Sequence, residues 1–256
     1  MSHRPPARTG PATRALALAA LLGATLLGCG SDAGSGGAPG GTATGSDAPI
    51  VGASTEPAAT GAPAAQRIEQ VNETMRGTPF SGIGTTTAFE GAGLQRIVWN
   101  PDQGLRISYT GTAGGDMYCK DGVTYMSTGL LAESFRTRGT GITVPERLAD
   151  VYVTTRSGQG CDAYFAVPPS GTFAQEKDTT VEGVPARAIV ASAGPTSDTY
   201  FVSAKNPARL LKMKSVRDGR TSSTTYVDFG TKKDVTLPSP DKTMTMEQFR
   251  AQVDAG

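Results

Sequence analysis

The chain has 256 residues, with 24 Lys and Arg against 23 Asp and Glu, one His and three Cys. A formal net charge of +1 gives no long-range attraction to nucleic acid. The one histidine is His3, inside an N-terminal leader, so the chain beyond it lacks the imidazole that common triads, dyads and many metal sites require.

That leader has three parts. Residues 1–14 carry Arg4, Arg8 and Arg14 and no acid; residues 15–28 are small or apolar apart from Thr25; Gly28 then precedes Cys29. The apolar run is short for a bilayer span and fits the core of a secretory signal. No Arg-Arg pair supports the twin-arginine route. Leu26-Leu27-Gly28-Cys29 resembles the bacterial lipobox. The resemblance implies that the Cys29 thiol takes a diacylglycerol, the chain is cut before it, and the new N-terminus is acylated, for example with palmitate. The protein is then exported and lipid-anchored on the outer face of the cytoplasmic membrane. Loss of residues 1–28 leaves 21 basic and 23 acidic residues. Attachment to the membrane is therefore expected through the lipid and not through a basic patch. Two chains suffice for stable anchoring, at about 0.8 kcal/mol per buried methylene.

With Cys29 lipidated, Cys119 and Cys161 remain. In an oxidising compartment they read as one disulfide, the alternative being two separate buried thiols. The absence of Cys-x-x-Cys argues against a catalytic thiol pair.

Residues 30–65 are Gly, Ala, Ser, Thr and Pro with Asp32, Asp47 and Glu56, and only Ile50 and Val51 as larger aliphatics. Such a segment buries too little surface to offset its ordering entropy and is expected to be a tether. With Cys29 it forms the stretch 29–65, followed by one domain over 66–256. That domain opens with a predicted helix over 66–76, with Ile68, Val71 and Met75 on one face and Gly77, Thr78 and Pro79 ending it. Strands are predicted over 85–89, 94–99, 105–109, 117–120 and 123–126, the last two joined by Asp121-Gly122, a two-residue hairpin signal. Short helices are predicted over 130–136 and 144–153, the latter from Leu148 and Tyr152 one turn apart and Pro145 in the first turn. Strands follow over 184–191, 199–204, 210–216 and 221–229, with Asp218-Gly219 turning the last hairpin and Lys205-Asn206-Pro207 turning before it. A final helix is predicted over 244–253.

This order is α+β: antiparallel strands with a few helices between. It resembles the LolA-like lipoprotein carriers and the actinobacterial LppX/LprG group. The resemblance rests on Glu182-Gly183-Val184-Pro185-Ala186, on Tyr200-Phe201-Val202 with Pro207-Ala208-Arg209-Leu210, and on Tyr226-Val227-Asp228-Phe229-Gly230 before Leu237-Pro238-Ser239-Pro240. It implies a strongly curved antiparallel sheet, an incomplete barrel, with short helices covering the open side and an apolar cavity between. Strand alternation places Leu105, Ile107 and Tyr109 on one face, and likewise Tyr200 with Val202, Leu211 with Met213, and Val227 with Phe229. These nine are the candidate apolar lining of a space for a lipid or acyl chain. The alternative use of the same residues is a filled core, in a module that acts as a scaffold or by protein contact.

No catalytic, cofactor or metal residue is expected, so the chain reads as non-catalytic. Asp228-Phe229-Gly230 lacks the glycine loop and catalytic motif that would give it kinase meaning and reads as a strand end. Asn72-Glu73-Thr74 lies on the first helix, and Gly82-Ile83-Gly84 lacks the third glycine of a dinucleotide loop. The basic cluster Lys212, Lys214, Arg217 and Arg220 reads as a solvated strand face that can also meet lipid head groups.

Overall fold

A computed structural model describes residues 64–253 except 90, 92, 112 and 113. Cys29 and the segments 1–28 and 30–63 lie outside the described residues. Three α-helices are present among them: α1 (Ala65–Gly77), α2 (Thr128–Arg136) and α3 (Met246–Val253). The strands are β1 (Phe80–Thr86), β2 (Gly93–Asn100), β3 (Gly104–Thr110), β4 (Gly115–Lys120), β5 (Val123–Ser127), β6 (Tyr152–Arg156), β7 (Thr172–Phe173), β8 (Thr179–Val181), β9 (Val184–Ala193), β10 (Thr196–Ser203), β11 (Leu210–Arg217), β12 (Arg220–Val227) and β13 (Thr243–Thr245). They form one 13-stranded sheet in the order β13-β6-β5-β4-β3-β2-β1-β12-β11-β10-β9-β7, with β8 also on β9. The β13–β6 pair is parallel and the other pairs are antiparallel. The order does not return on itself, so the sheet is open. The expected α+β architecture of an incomplete antiparallel barrel with short helices is what the chain forms.

The hairpins follow local chemistry. Asp121 and Gly122 have φ of 50° and 73°, and Asp218 and Gly219 have 50° and 75°. Both pairs occupy the left-handed region that two-residue hairpins need, which Asp and Gly tolerate. Glu182-Gly183 makes the same turn between β8 and β9, at 47° and 80°.

Two predicted elements are corrected. Residues 144–153 do not form an α-helix: a single 3-10 turn, Glu146–Leu148, leads into β6. The run Val151-Tyr152-Val153-Thr154-Thr155 is β-branched and aromatic, which suits a pleated surface, and β6 pairs with β5 along its length. The predicted strand over 85–89 is displaced, because β1 begins at Phe80. Gly82 and Gly84 interrupt its alternation in the sequence. A Cβ on Gly82 would lie 2.9 Å from Thr224 Cγ2 and 3.2 Å from Ile97 Cβ, so the glycine makes room for its neighbours' side chains.

One sheet face, the inner face, carries the main core. Phe80, Ile97, Trp99, Leu105, Ile107, Met117, Tyr200, Leu210 and Tyr226 pack there with Ile68, Val71 and Met75 of α1. Phe165 is wedged among them, its ring 5.0 Å from Phe80 and 5.1 Å from Trp99. Asn72 fixes α1 to this wedge: its side chain donates to Val167 O at 2.9 Å and accepts from Val167 N at 2.8 Å. Arg67 fixes the other end of α1, donating to Ser203 O, to Lys205 O at 2.9 Å and to Asn206 Oδ1 at 3.1 Å. A second cluster joins Leu131, Leu148, Val153 and Phe249 under α2 and α3. A third, on the opposite or outer face, holds Ala174, Val181, Ala186, Ala188, Phe201 and Leu211.

Candidate apolar ligand site

The three segments that carry the family resemblance converge at one end of the sheet. There the β8–β9 turn, the β10–β11 connection and the end of β12 enclose a hollow of about 520 Å³. Val181, Val184, Leu211, Val227 and Phe229 form its apolar wall. Its position follows from how β12 ends: Asp228 turns into the left-handed region at φ 56° and Phe229 leaves the strand. Lys233 Nζ grips the Asp228 carboxylate at 2.6 Å, and this hydrogen bond holds the carboxyl below its ordinary range.

Glu182, Ser203, Lys205, Asn206 and Asp228 add polar groups to the lining, and so does Arg209. Its guanidinium lies over the Phe229 ring, 4.8 Å from the centroid. Its Nε is buried and meets no hydrogen-bond partner among the described residues. A buried donor without a partner costs free energy. The hollow is half-open and mixes an apolar wall with charged groups of both signs, Lys205 and Arg209 against Glu182 and Asp228.

The nine expected lining residues divide between the two faces. Leu105, Ile107, Tyr200 and Val202 are buried in the inner cluster, with Tyr109 and Met213 packed against it. Leu211 belongs to the outer cluster, Phe229 touches both clusters, and Val227 lines the hollow beside them. So Leu211, Val227 and Phe229 come together at the hollow and the other six do not. One face assignment is corrected. Leu211 and Met213 lie on opposite faces, because Val202 pairs with Leu210 while Phe201 pairs with Lys212, which leaves Leu211 as a bulge residue and flips the alternation. Val227 and Phe229 both line the hollow, although β12 ends at Val227. Sequence reasoning missed Val181, Val184 and Arg209. Val184 and Arg209 do stand in two of the stretches that carry the resemblance.

Cys119 of β4 and Cys161, in the 3-10 turn Cys161–Tyr164, are joined with S–S 2.07 Å and Cα–Cα 5.5 Å. The bond tethers the segment carrying Phe165 to the inner face. Among the described residues no group of three His, Cys, Asp or Glu is placed to hold a metal ion, and no helix is long and apolar enough to cross a membrane. Arg217 of the basic cluster pairs with buried Asp198 at 3.0 Å, and Arg220 lies 4.0 Å from Asp218.

No family model matches the chain, and no curated protein matches it. Among solved structures, LprF from Mycobacterium bovis is 12% identical, with 71% of this chain and 99% of that one covered and a TM-score of 0.38. The lipoprotein LppX from Mycobacterium tuberculosis is 10% identical over 67% and 97% of the two chains, with a TM-score of 0.38. A LolA superfamily protein from Nitrosomonas europaea is 11% identical over 70% and 97%, with a TM-score of 0.31. In the run of its strands and helices the chain is similar to these three proteins.

Proposed function

We propose that the protein is an exported, non-catalytic lipoprotein, anchored through Cys29 to the outer face of the cytoplasmic membrane, that binds or carries an acyl chain or similar apolar ligand. The supporting observation is the hollow of about 520 Å³ with its apolar wall and the unpartnered Arg209 Nε. Its volume falls in the range of small-ligand sites, about 300–1,000 Å³. Burial supplies affinity at about 0.8 kcal/mol per methylene, so six methylenes contribute about 5 kcal/mol without any chemistry. The segment 29–65 acts as the tether between anchor and domain in this reading.

The packed centre of the inner face favours a second reading. Phe80, Trp99, Phe165 and Tyr226 interlock where α1 covers the sheet, which suits a module that works by protein contact. Native mass spectrometry separates the two. A chain starting at residue 29 with Cys29→Ser, purified from its own host, is expected to release lipid on organic extraction and to take up a fluorescent fatty acid. Leu211→Asp is expected to weaken that uptake at least about tenfold, since a carboxylate replaces an apolar wall. Protein without lipid that takes up no fatty acid would overturn the lipid-binding reading.

A further inference from the structure

The outer face at the middle of the sheet is not covered by the apolar clusters, and strand register places its side chains in two transverse rows. Leu94, Thr85, Ser223 and Lys214 are successive partners across β2, β1, β12 and β11. Arg96, Ile83, Thr225 and Lys212 form the next row. Across these four strands neither row contains an acid; the second reaches Asp116 only two strands further on, through Ser108. Ile83 and Leu94 are 53% and 55% exposed, unusual for large aliphatics. Arg96, Lys212 and Lys214 have no carboxylate partner among the described residues, Lys214 resting 5.7 Å from the Phe201 ring. Strand spacing spreads the cations across about 14 Å, a distance at which they act together on a charged plane.

Beside these rows lies a polar hollow of about 190 Å³, lined by Thr179, Thr180, Thr225, Lys212 and Lys214, with Glu182 also on its wall. Two ammonium groups and three hydroxyls match a phosphate ester. Val181 and Glu182 line both this hollow and the larger apolar one, so the two adjoin.

We propose that this outer face docks on an anionic phospholipid bilayer, with Ile83 and Leu94 entering the interface, Arg96, Lys212 and Lys214 meeting lipid phosphates, and the apolar hollow opening beside the contact. Interleaved aliphatics and cations across the four strands, with the acids Glu182 and Asp116 at the margins of the patch, favour anionic lipid over an apolar or a cationic partner. The inference rests on register and charge, independently of what the apolar hollow holds.

Vesicle flotation tests it, using the chain from residue 29 with Cys29→Ser so that no anchor contributes. Binding is expected to vesicles of phosphatidylcholine with phosphatidylglycerol, to weaken with salt, and to be far lower with phosphatidylcholine alone. Each cation near such a surface is worth about fivefold in partitioning, so Arg96→Gln with Lys212→Gln and Lys214→Gln should lower binding about 100-fold. Ile83→Ser with Leu94→Ser should also lower it, whereas Lys120→Gln with Lys242→Gln, away from these rows, should not. All substituted positions are at the surface, and circular dichroism confirms folding. Absence of flotation, equal flotation with both lipids, or an unchanged triple variant would overturn the proposal. Fatty-acid uptake is read separately on the unsubstituted protein: uptake without any vesicle binding rejects the docking face and leaves the ligand reading, and vesicle binding without uptake rejects the ligand reading alone.

Discussion

Phe165 stands in an irregular stretch with no periodicity around it, yet its ring meets both Phe80 and Trp99 edge-on or tilted. Truncation to alanine leaves a cavity in the inner face, so Phe165→Ala is expected to cost about 3–5 kcal/mol in urea unfolding. A loss below about 1 kcal/mol would contradict a tightly filled centre. Tyrosines add a pH dependence. Burial pushes the hydroxyls of Tyr109 and Tyr152 up to about 12, and raises those of Tyr200 and Tyr226. Unfolded tyrosines ionise near pH 10, so above about pH 10 the folded state holds protons that the unfolded state has lost. Stability is therefore intact below about pH 10 and falls as pH rises toward about 12. Denaturation midpoints across that window, with phenolate absorbance of the folded protein, check this; ordinary tyrosine titration with no fall in stability would contradict it. At this scale the sequence shows which residues are apolar, but not the face each one takes. Leu211 and Met213 look alike in a strand pattern, and a bulge set by the Phe201–Lys212 pairing sends them to opposite sides.

The elements most legible in the sequence are those bounded by strong turn chemistry. Asp121-Gly122 and Asp218-Gly219 lock their hairpins because their positive φ costs little there. β1 and β6 were harder to read for different reasons. Glycines at 82 and 84 erase the alternation of β1, and Leu148 with Tyr152 mimics a helical turn before β6. Tertiary pairing decides both. The disulfide works at the same scale, linking β4 to the turn before Phe165 across 42 residues. The chain-entropy model gives about 4 kcal/mol for such a loop. Cys119→Ser is expected to lower the melting temperature in oxidising buffer, with dithiothreitol bringing the wild type down to match. Two titratable thiols in the native protein would refute the bond.

At the scale of the whole molecule, a single open sheet separates two environments. One face is filled beneath α1. The other is left partly bare, and ends in the hollow where Leu211, Val227 and Phe229 meet Arg209. The fold class was legible from strand order and turns. The site was only partly so, since a hollow depends on how three distant segments converge, and neither strand alternation nor apolar patterning singles out Val181, Val184 or Arg209. In the proposed function an acyl chain occupies that hollow. Photoaffinity labelling with a diazirine-bearing fatty acid, followed by peptide mass spectrometry, tests this most directly. It predicts labels on Val184, Leu211, Val227 or Phe229 that unlabelled fatty acid competes away. Competed labels confined to inner-face residues such as Tyr109 and Met213, or no competed label at all, would contradict it.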